Sequence, residues 1–342
     1  MGRTTRAVAA LAALVLVGGV AACGNGSDSA ASSGPAVTLS LVAYSTPQAA
    51  YKKIIKAFRG TPAGKNVKFK ESYGGSGDQS RAVESGLKAD LVAFSLEPDI
   101  TRLVKAGIVA EDWNKTEHDG MVTDSVVVIA TRKGDPKHLK TWDDLLGSGV
   151  QVITPNPFTS GGARWNVLAA YGAKSSKGTD KVAGVSYLAA LFPHVSVQDS
   201  SARASLQTFV GGKGDAMLAY ENDSIFAQQN GQALDYTIPD DTILIENPVA
   251  VTKSSPHPTE AKAFLDFLFT PTAQKIFAEN GYRPVVQGVG GPSFPTPSGL
   301  FTIKDLGGWT KLNKDFFDPA AGVMAGIEQK LGVATSPTPA AK

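Results

Sequence analysis

Val150-Gln-Val-Ile-Thr154-Pro-Asn-Pro-Phe-Thr-Ser160-Gly-Gly-Ala-Arg-Trp-Asn166 holds the pattern that decides the fold. Val150–Thr154 is a short strand rich in β-formers. Pro155 to Ser160 is a turn of prolines and small residues, and helical character runs from Gly161 to Tyr171. The same unit recurs on both sides. Strand 37–44 precedes a helix at 47–58, where Tyr51, Ile54, Ile55 and Phe58 share a face. Strand 66–73 precedes a helix near 78–87, and strand 89–94 precedes one at 98–106 that Gly107 ends. Further strands are expected at 125–131, 195–197, 216–219 and 248–251, followed by helices at 259–269 and 272–280. Strands separated by helices predict an α/β protein with mostly parallel sheets. No repeat of fixed period is present.

The chain has 342 residues, enough for about two cores, and two lobes leave a cleft for a small ligand. Lysine and arginine number 33 against 31 acidic residues. Arg3 and Arg6 fall in a segment read as removable, which leaves 31 of each sign. A neutral mature chain excludes a polybasic strategy for nucleic acid or anionic lipid. A single cysteine excludes a disulfide framework.

That cysteine is informative by position. Residues 1–22 read as a secretory signal, with a basic start and an uncharged run from Ala7 to Val20. Val20-Ala21-Ala22-Cys23 resembles a bacterial lipobox, so Cys23 is the expected lipidated residue, stably held by its acyl chains. Residues 23–36 read as a flexible tether with a reach of roughly 20 Å, and 335–342 as a disordered tail.

Four strand ends lead through small residues into helices: Ser45-Thr-Pro-Gln48, Gly74-Gly-Ser-Gly-Asp-Gln79, Thr159-Ser-Gly-Gly-Ala163 and Asp199-Ser-Ser-Ala-Arg203. Ser45 with Gln48, and Ser76 with Gln79, have capping-box spacing. A helix start leaves unsatisfied N–H groups and a partial positive charge. Several such starts on one cleft would hold an anion without lysine or metal. The plainer alternative is four ordinary helix caps.

Thr141-Trp-Asp-Asp-Leu145 and Val152–Asn166 together resemble the prokaryotic sulfate-binding protein family, the solute receptors of sulfate/thiosulfate ABC importers. Tyr73–Gly77, Arg132–Pro136, Asp199–Arg203, Tyr220–Asn222 and Gly281–Pro284 extend the resemblance over roughly residues 38–320. It implies a two-lobed type II periplasmic-binding-protein fold, with two mostly parallel sheets flanked by helices and two hinge crossings. The lobes are expected at 37–122 plus 244–334 and at 123–243. The implied sulfate-binding residues are Ser45, Ser76, Ser160, Gly161, Gly162, Ala202 and Tyr220. Ser45 stands where the family has aspartate, and Tyr220 where it has tryptophan. Arg164 and Arg203 are candidates for a supporting shell or for plain structural pairs, and Glu221 and Asp223 for a helix start.

The implied partners are sulfate and ABC permease subunits with their ATPase. No cofactor, metal or nucleic acid is implied, and the expected form is a monomer anchored by lipid to the outer face of the cell membrane. Sulfate is fully ionised at neutral pH and only accepts hydrogen bonds, whereas hydrogen phosphate keeps a proton to donate. A site of donors alone therefore selects sulfate. Six bonds to a charged group contribute roughly 9–18 kcal/mol before ordering and desolvation costs, so micromolar binding is within reach. Thiosulfate, molybdate and phosphate are the alternative ligands.

Enzyme motifs are absent. The four histidines, 118, 138, 194 and 257, lack metal-ligand spacing. Gly74–Gly77 lacks the Gly-Lys-Ser/Thr ending of a P-loop, and Asp78 breaks a G-x-S-x-G reading around Ser76. A serine hydrolase built on a distant histidine is the alternative from another class.

Overall fold

The computed structural model describes residues 36–335. The signal segment, Cys23, most of the tether and the tail beyond Thr335 lie outside the described residues.

In chain order the elements are β1 (Val37–Tyr44), α1 (Gln48–Arg59), β2 (Val67–Gly74), α2 (Ser76–Glu84), β3 (Leu91–Ala93), α3 (Glu97–Lys105) and β4 (Met121–Arg132). Then come β5 (Val152–Ile153), α4 (Gly161–Lys174), α5 (Lys181–Leu191), β6 (Val195–Val197), α6 (Ala202–Val210), β7 (Ala216–Tyr220), α7 (Glu221–Gln229) and β8 (Leu234–Thr237). The chain continues through β9 (Leu244–Val251), α8 (Pro258–Leu268), α9 (Pro271–Glu279), β10 (Arg283–Pro284), α10 (Trp309–Phe317) and α11 (Val323–Lys330).

The strand order β2-β1-β3-β9-β4-β7-β5-β6 describes two sheets joined through two long strands. β1 runs parallel to β2 and β3, and β5 runs parallel to β6 and β7. β4 and β9 are antiparallel to each other, from Met121 opposite Pro248 to Val126 opposite Leu244. Beyond that contact β9 joins β3 in the first sheet, and β4 joins β7 and β8 in the second. They are the two crossings of a type II periplasmic-binding-protein fold. Beyond their mutual contact both strands are apolar and buried, Val127–Ala130 on β4 and Val249 and Ala250 on β9, whereas the contact itself carries the polar residues Thr123, Asp124, Ser125, Glu246 and Asn247.

The first lobe's core gathers Leu39, Leu41, Tyr51, Ile54 and Phe58 with Phe264 and Phe277 of α8 and α9. Tyr51, Ile54, Ile55 and Phe58 line the buried face of α1, as their spacing predicts. The second lobe's core is built on Trp142, Leu145, Trp165, Leu168, Tyr171 and Leu188.

One expectation is corrected here. From sequence, residues 244–334 belong to the first lobe; Phe301, Trp309, Leu312, Phe316 and Met324 are instead buried in the second lobe's core. Trp309 meets Trp165 edge-on at 4.8 Å, and Phe316 meets Tyr171 at 4.5 Å. Gly172 allows this, since a Cβ there would fall 2.3 Å from the Phe301 ring. The chain returns to the first lobe through β9, α8 and α9, then crosses back.

Candidate functional site

The turns before α2, α4 and α6 meet. A Cβ on Gly75 would lie 2.8 Å from the carbonyl oxygens of both Thr159 and Ser200, so only glycine lets the three backbones approach. Thr159 Oγ1 donates to Ser200 O at 3.0 Å, and Arg81 donates across the seam to Phe158 O at 3.2 Å. The fourth turn joins from α1's side, where Arg203 donates to Thr46 O at 2.7 Å. The two lobes are thus in contact over a closed cleft. Ser45, Ser76, Ser160 and Tyr220 are all buried there.

Asn156 shapes the α4 turn. Its carbonyl accepts from Ser160 N, its side-chain oxygen accepts from Phe158 N, and its own N–H reaches Asp199 O. Asn166 then ties α4 to the sheet through Thr154 Oγ1 and Leu218 O, both at 2.9 Å. Ser160 is the N-cap of α4, but its hydroxyl makes no cap bond. The amides of Gly161, Gly162 and Ala163 find no acceptor among the described residues. Gly162 faces Ala202 and Tyr220: a Cβ on it would lie 3.4 Å from the Ala202 methyl, 3.5 Å from Ser160 Oγ and 3.6 Å from the Tyr220 ring. Ser160, Gly161, Gly162, Ala202 and Tyr220 are therefore neighbours.

Ser45 and Ser76 differ from expectation as caps. The N-cap of α1 is Pro47, two residues after Ser45, and that of α2 is Gly75, one before Ser76; neither carries a side-chain cap. Gln79 instead accepts from Ser72. The Ser76 hydroxyl has found a charged acceptor, Asp99 Oδ2 at 2.6 Å, and accepts Ser95 N at 3.0 Å. A buried charge-assisted bond outcompetes a local cap. Ser76 therefore presents its backbone to the cleft, not a free hydroxyl. Ser201, not Ser76, makes a true cap, on Ala204 N.

Ser95 is a hub that the sequence reading misses. Its hydroxyl shares a hydrogen bond with Tyr220 at 2.5 Å, and its carbonyl accepts from Trp165 Nε1 and Asn247 Nδ2. The signal was present: Ser95 lies in the turn between β3 and α3, a fifth strand–turn–helix start. Burial pushes the Tyr220 phenol well up, aided by Tyr44, so it stays neutral.

Four carboxylates around the cleft face an arginine, and a fifth, Asp199, accepts instead from the hydroxyls of Ser205 and Thr208 at 3.0 Å. Asp78 pairs with Arg81, Asp99 with Arg102, and Glu221 with Arg283 at 2.6, 3.0 and 2.8 Å. Asp223 lies 3.8 Å from Arg203; burial raises it to about 6 and Arg203 opposes the rise. Glu221 and Asp223 do open α7. Arg203 stacks on Phe226, and its NH1 is buried without a hydrogen-bond partner among the described residues. Arg164 braces the α4 turn from behind by donating to Pro157 O and Asn313 Oδ1; burial lowers its guanidinium to about 10. Thr141-Trp-Asp-Asp has a structural explanation, because Asp144 accepts from Thr141 N, Thr141 Oγ1 and Lys140 N.

Two α/β lobes joined by two crossing strands, with unsatisfied helix starts converging between them, define a two-lobed solute receptor. The model of the bacterial extracellular solute-binding protein family matches residues 39–283. The sulfate-binding protein of Synechococcus elongatus is 42% identical over 311 residues, 87% of this chain and 89% of its own. The thiosulfate-binding protein of Escherichia coli is 35% identical over 268 residues, 74% and 79% of the two chains. The structure of the sulfate-binding protein SubI from Mycobacterium tuberculosis superposes with a TM-score of 0.80 at 43% identity, covering 82% of this chain and all of that one. The chain belongs to the bacterial extracellular solute-binding proteins, and its place of work is outside the cytoplasm.

Proposed function

We propose that the protein captures a sulfate dianion between its lobes and delivers it to an ABC permease with its ATPase. The observation that carries this reading is the uncapped start of α4 facing Ala202 and Tyr220, with Asp78, Asp99, Glu221 and Asp223 each set against an arginine and Asp199 occupied by two hydroxyls of α6. Ser160 Oγ and the amides of Gly161 and Gly162 supply donors from the second lobe. Ser45 and the backbone at Ser76 supply them from the first, and Ala202 N adds the α6 dipole. Tyr220 contributes its ring edge and a phenol held by Ser95. Arg164 and Arg203 hold turns in place.

Neutral donors suit a receptor that must release its ion. They bind through many charge-assisted bonds that are lost together when the lobes part. The protein is a carrier with no catalytic role, acting as a monomer tethered through a lipidated Cys23. Isothermal titration with sulfate, thiosulfate, molybdate and phosphate tests the ligand. Micromolar or tighter sulfate binding, with phosphate at least about a hundredfold weaker, supports the reading. Phosphate binding as tight as sulfate contradicts it.

A further inference from the structure

Two cavities open along the seam between the lobes, and their charges differ. One, of about 550 Å³, lies between α2 and α3 on one side and α4 and α10 on the other. Arg81, Arg102, Lys105 and Arg164 line it, but so do Glu84 and Glu97. Arg81 and Arg102 are moreover committed to Asp78 and Asp99. The other, of about 540 Å³, lies between α1 and the pair α6 and α7. Its lining includes Gln48, Gln207, Val210 and Phe226, and its ionisable residues are Lys52 and Arg203 alone. Lys52 is exposed and makes no ion pair among the described residues. Arg203 reaches from this cavity into the site: its NH2 crosses the seam to Thr46 O and lies 3.8 Å from Asp223, and its buried NH1 has no hydrogen-bond partner among the described residues.

We propose that the cavity between α1, α6 and α7 is the mouth through which the oxyanion reaches the site. This rests on the anion reading given above. Lys52 draws the dianion in, because an unpaired charge on a rim free of carboxylates acts at long range and raises the encounter rate. Arg203 follows from the opposite lobe and closes the passage by its bond to Thr46. The opposite cavity, with its cations offset by carboxylates, offers no comparable pull.

The test is stopped-flow fluorescence of sulfate binding to the protein, with Lys52→Glu and, on the opposite cavity, Lys105→Glu. At low ionic strength Lys52→Glu is expected to lower the association rate about three- to tenfold and leave dissociation unchanged, the difference fading at about 0.5 M salt. Lys105→Glu is expected to stay within about twofold of the parent. An association rate for Lys52→Glu within about twofold of the parent at low salt, or equal losses in both variants, overturns the mouth while leaving sulfate binding intact. A parent protein that binds no sulfate removes the functional reading and the mouth together.

Discussion

The hydroxyls of Tyr220 and Ser95 lie 2.5 Å apart and join the lobes at the floor of the cleft. Ser95 follows β3 in the first lobe, and Tyr220 ends β7 in the second. The phenol is held by protein on one side, while its ring edge faces Gly162.

Replacing Tyr220 with Phe removes the shared bond and leaves Ser95 Oγ buried and short of a partner. The expected loss in sulfate affinity is about tenfold, near the upper end for one neutral hydrogen bond. Tyr220→Trp is expected to keep or improve sulfate binding, since an indole N–H only donates. Titration of both variants checks this; a Trp variant weaker than the Phe variant counts against the role given to this position.

Ser76→Ala removes a hydroxyl that serves Asp99 and Ser95, not the ion. Its cost should appear in folding, at about 1–3 kcal/mol, because a buried carboxylate oxygen loses its donor. Sulfate affinity should fall less than in a Ser160 variant. Denaturant unfolding and titration together separate the two effects; an unchanged stability with lost affinity reverses the assignment.

A pH effect follows from the crossings. Asp124 on β4 stands opposite Glu246 on β9, and Arg283 across β10 is committed to Glu221. Burial, then Glu246, push Asp124 up to about 7, opposed by Arg283. The folded protein thus holds this proton more tightly than the unfolded chain. The stability it contributes is full below the ordinary aspartate value of 3.8 and is lost as pH rises through about 7. The Tm should fall between about pH 4 and pH 7, and Asp124→Asn should flatten that fall. An equal slope in the variant contradicts the account.

Cys23 lies outside the described residues, and its role rests on the sequence. Cys23→Ala should release the protein to the medium, and blocking lipoprotein processing should leave residues 1–22 attached. Fractionation decides: a Cys23→Ala protein as membrane-bound as the parent rules out the lipid anchor.

Local patterns were legible where local physics decides. β1 and β6 begin and end at the expected residues, because alternating apolar side chains and flanking turns fix them. The Ser160-Gly-Gly turn was legible for the same reason. Capping was not, since Ser76 prefers Asp99, 23 positions away and invisible to a window of four residues. α5, α10 and α11 carry apolar residues at helical spacing, yet Trp309 follows a glycine- and proline-rich stretch that hides the helix start. Which lobe α10 joins depends on an edge contact between Trp165 and Trp309, a pairing no local pattern encodes. Ser95 escaped notice because its partners come from four other segments.

Ser160 tests the central claim most directly. Its hydroxyl caps nothing and stands beside the free amides of Gly161 and Gly162. Ser160→Ala should cost about 1.5–3 kcal/mol of sulfate binding, roughly 10- to 150-fold in Kd. Ser160→Asp should abolish it, because a carboxylate is then buried against a dianion. Isothermal titration of the two variants gives the answer: a graded loss from Ala to Asp is predicted, and sulfate affinities within about twofold of the parent in both would contradict the site.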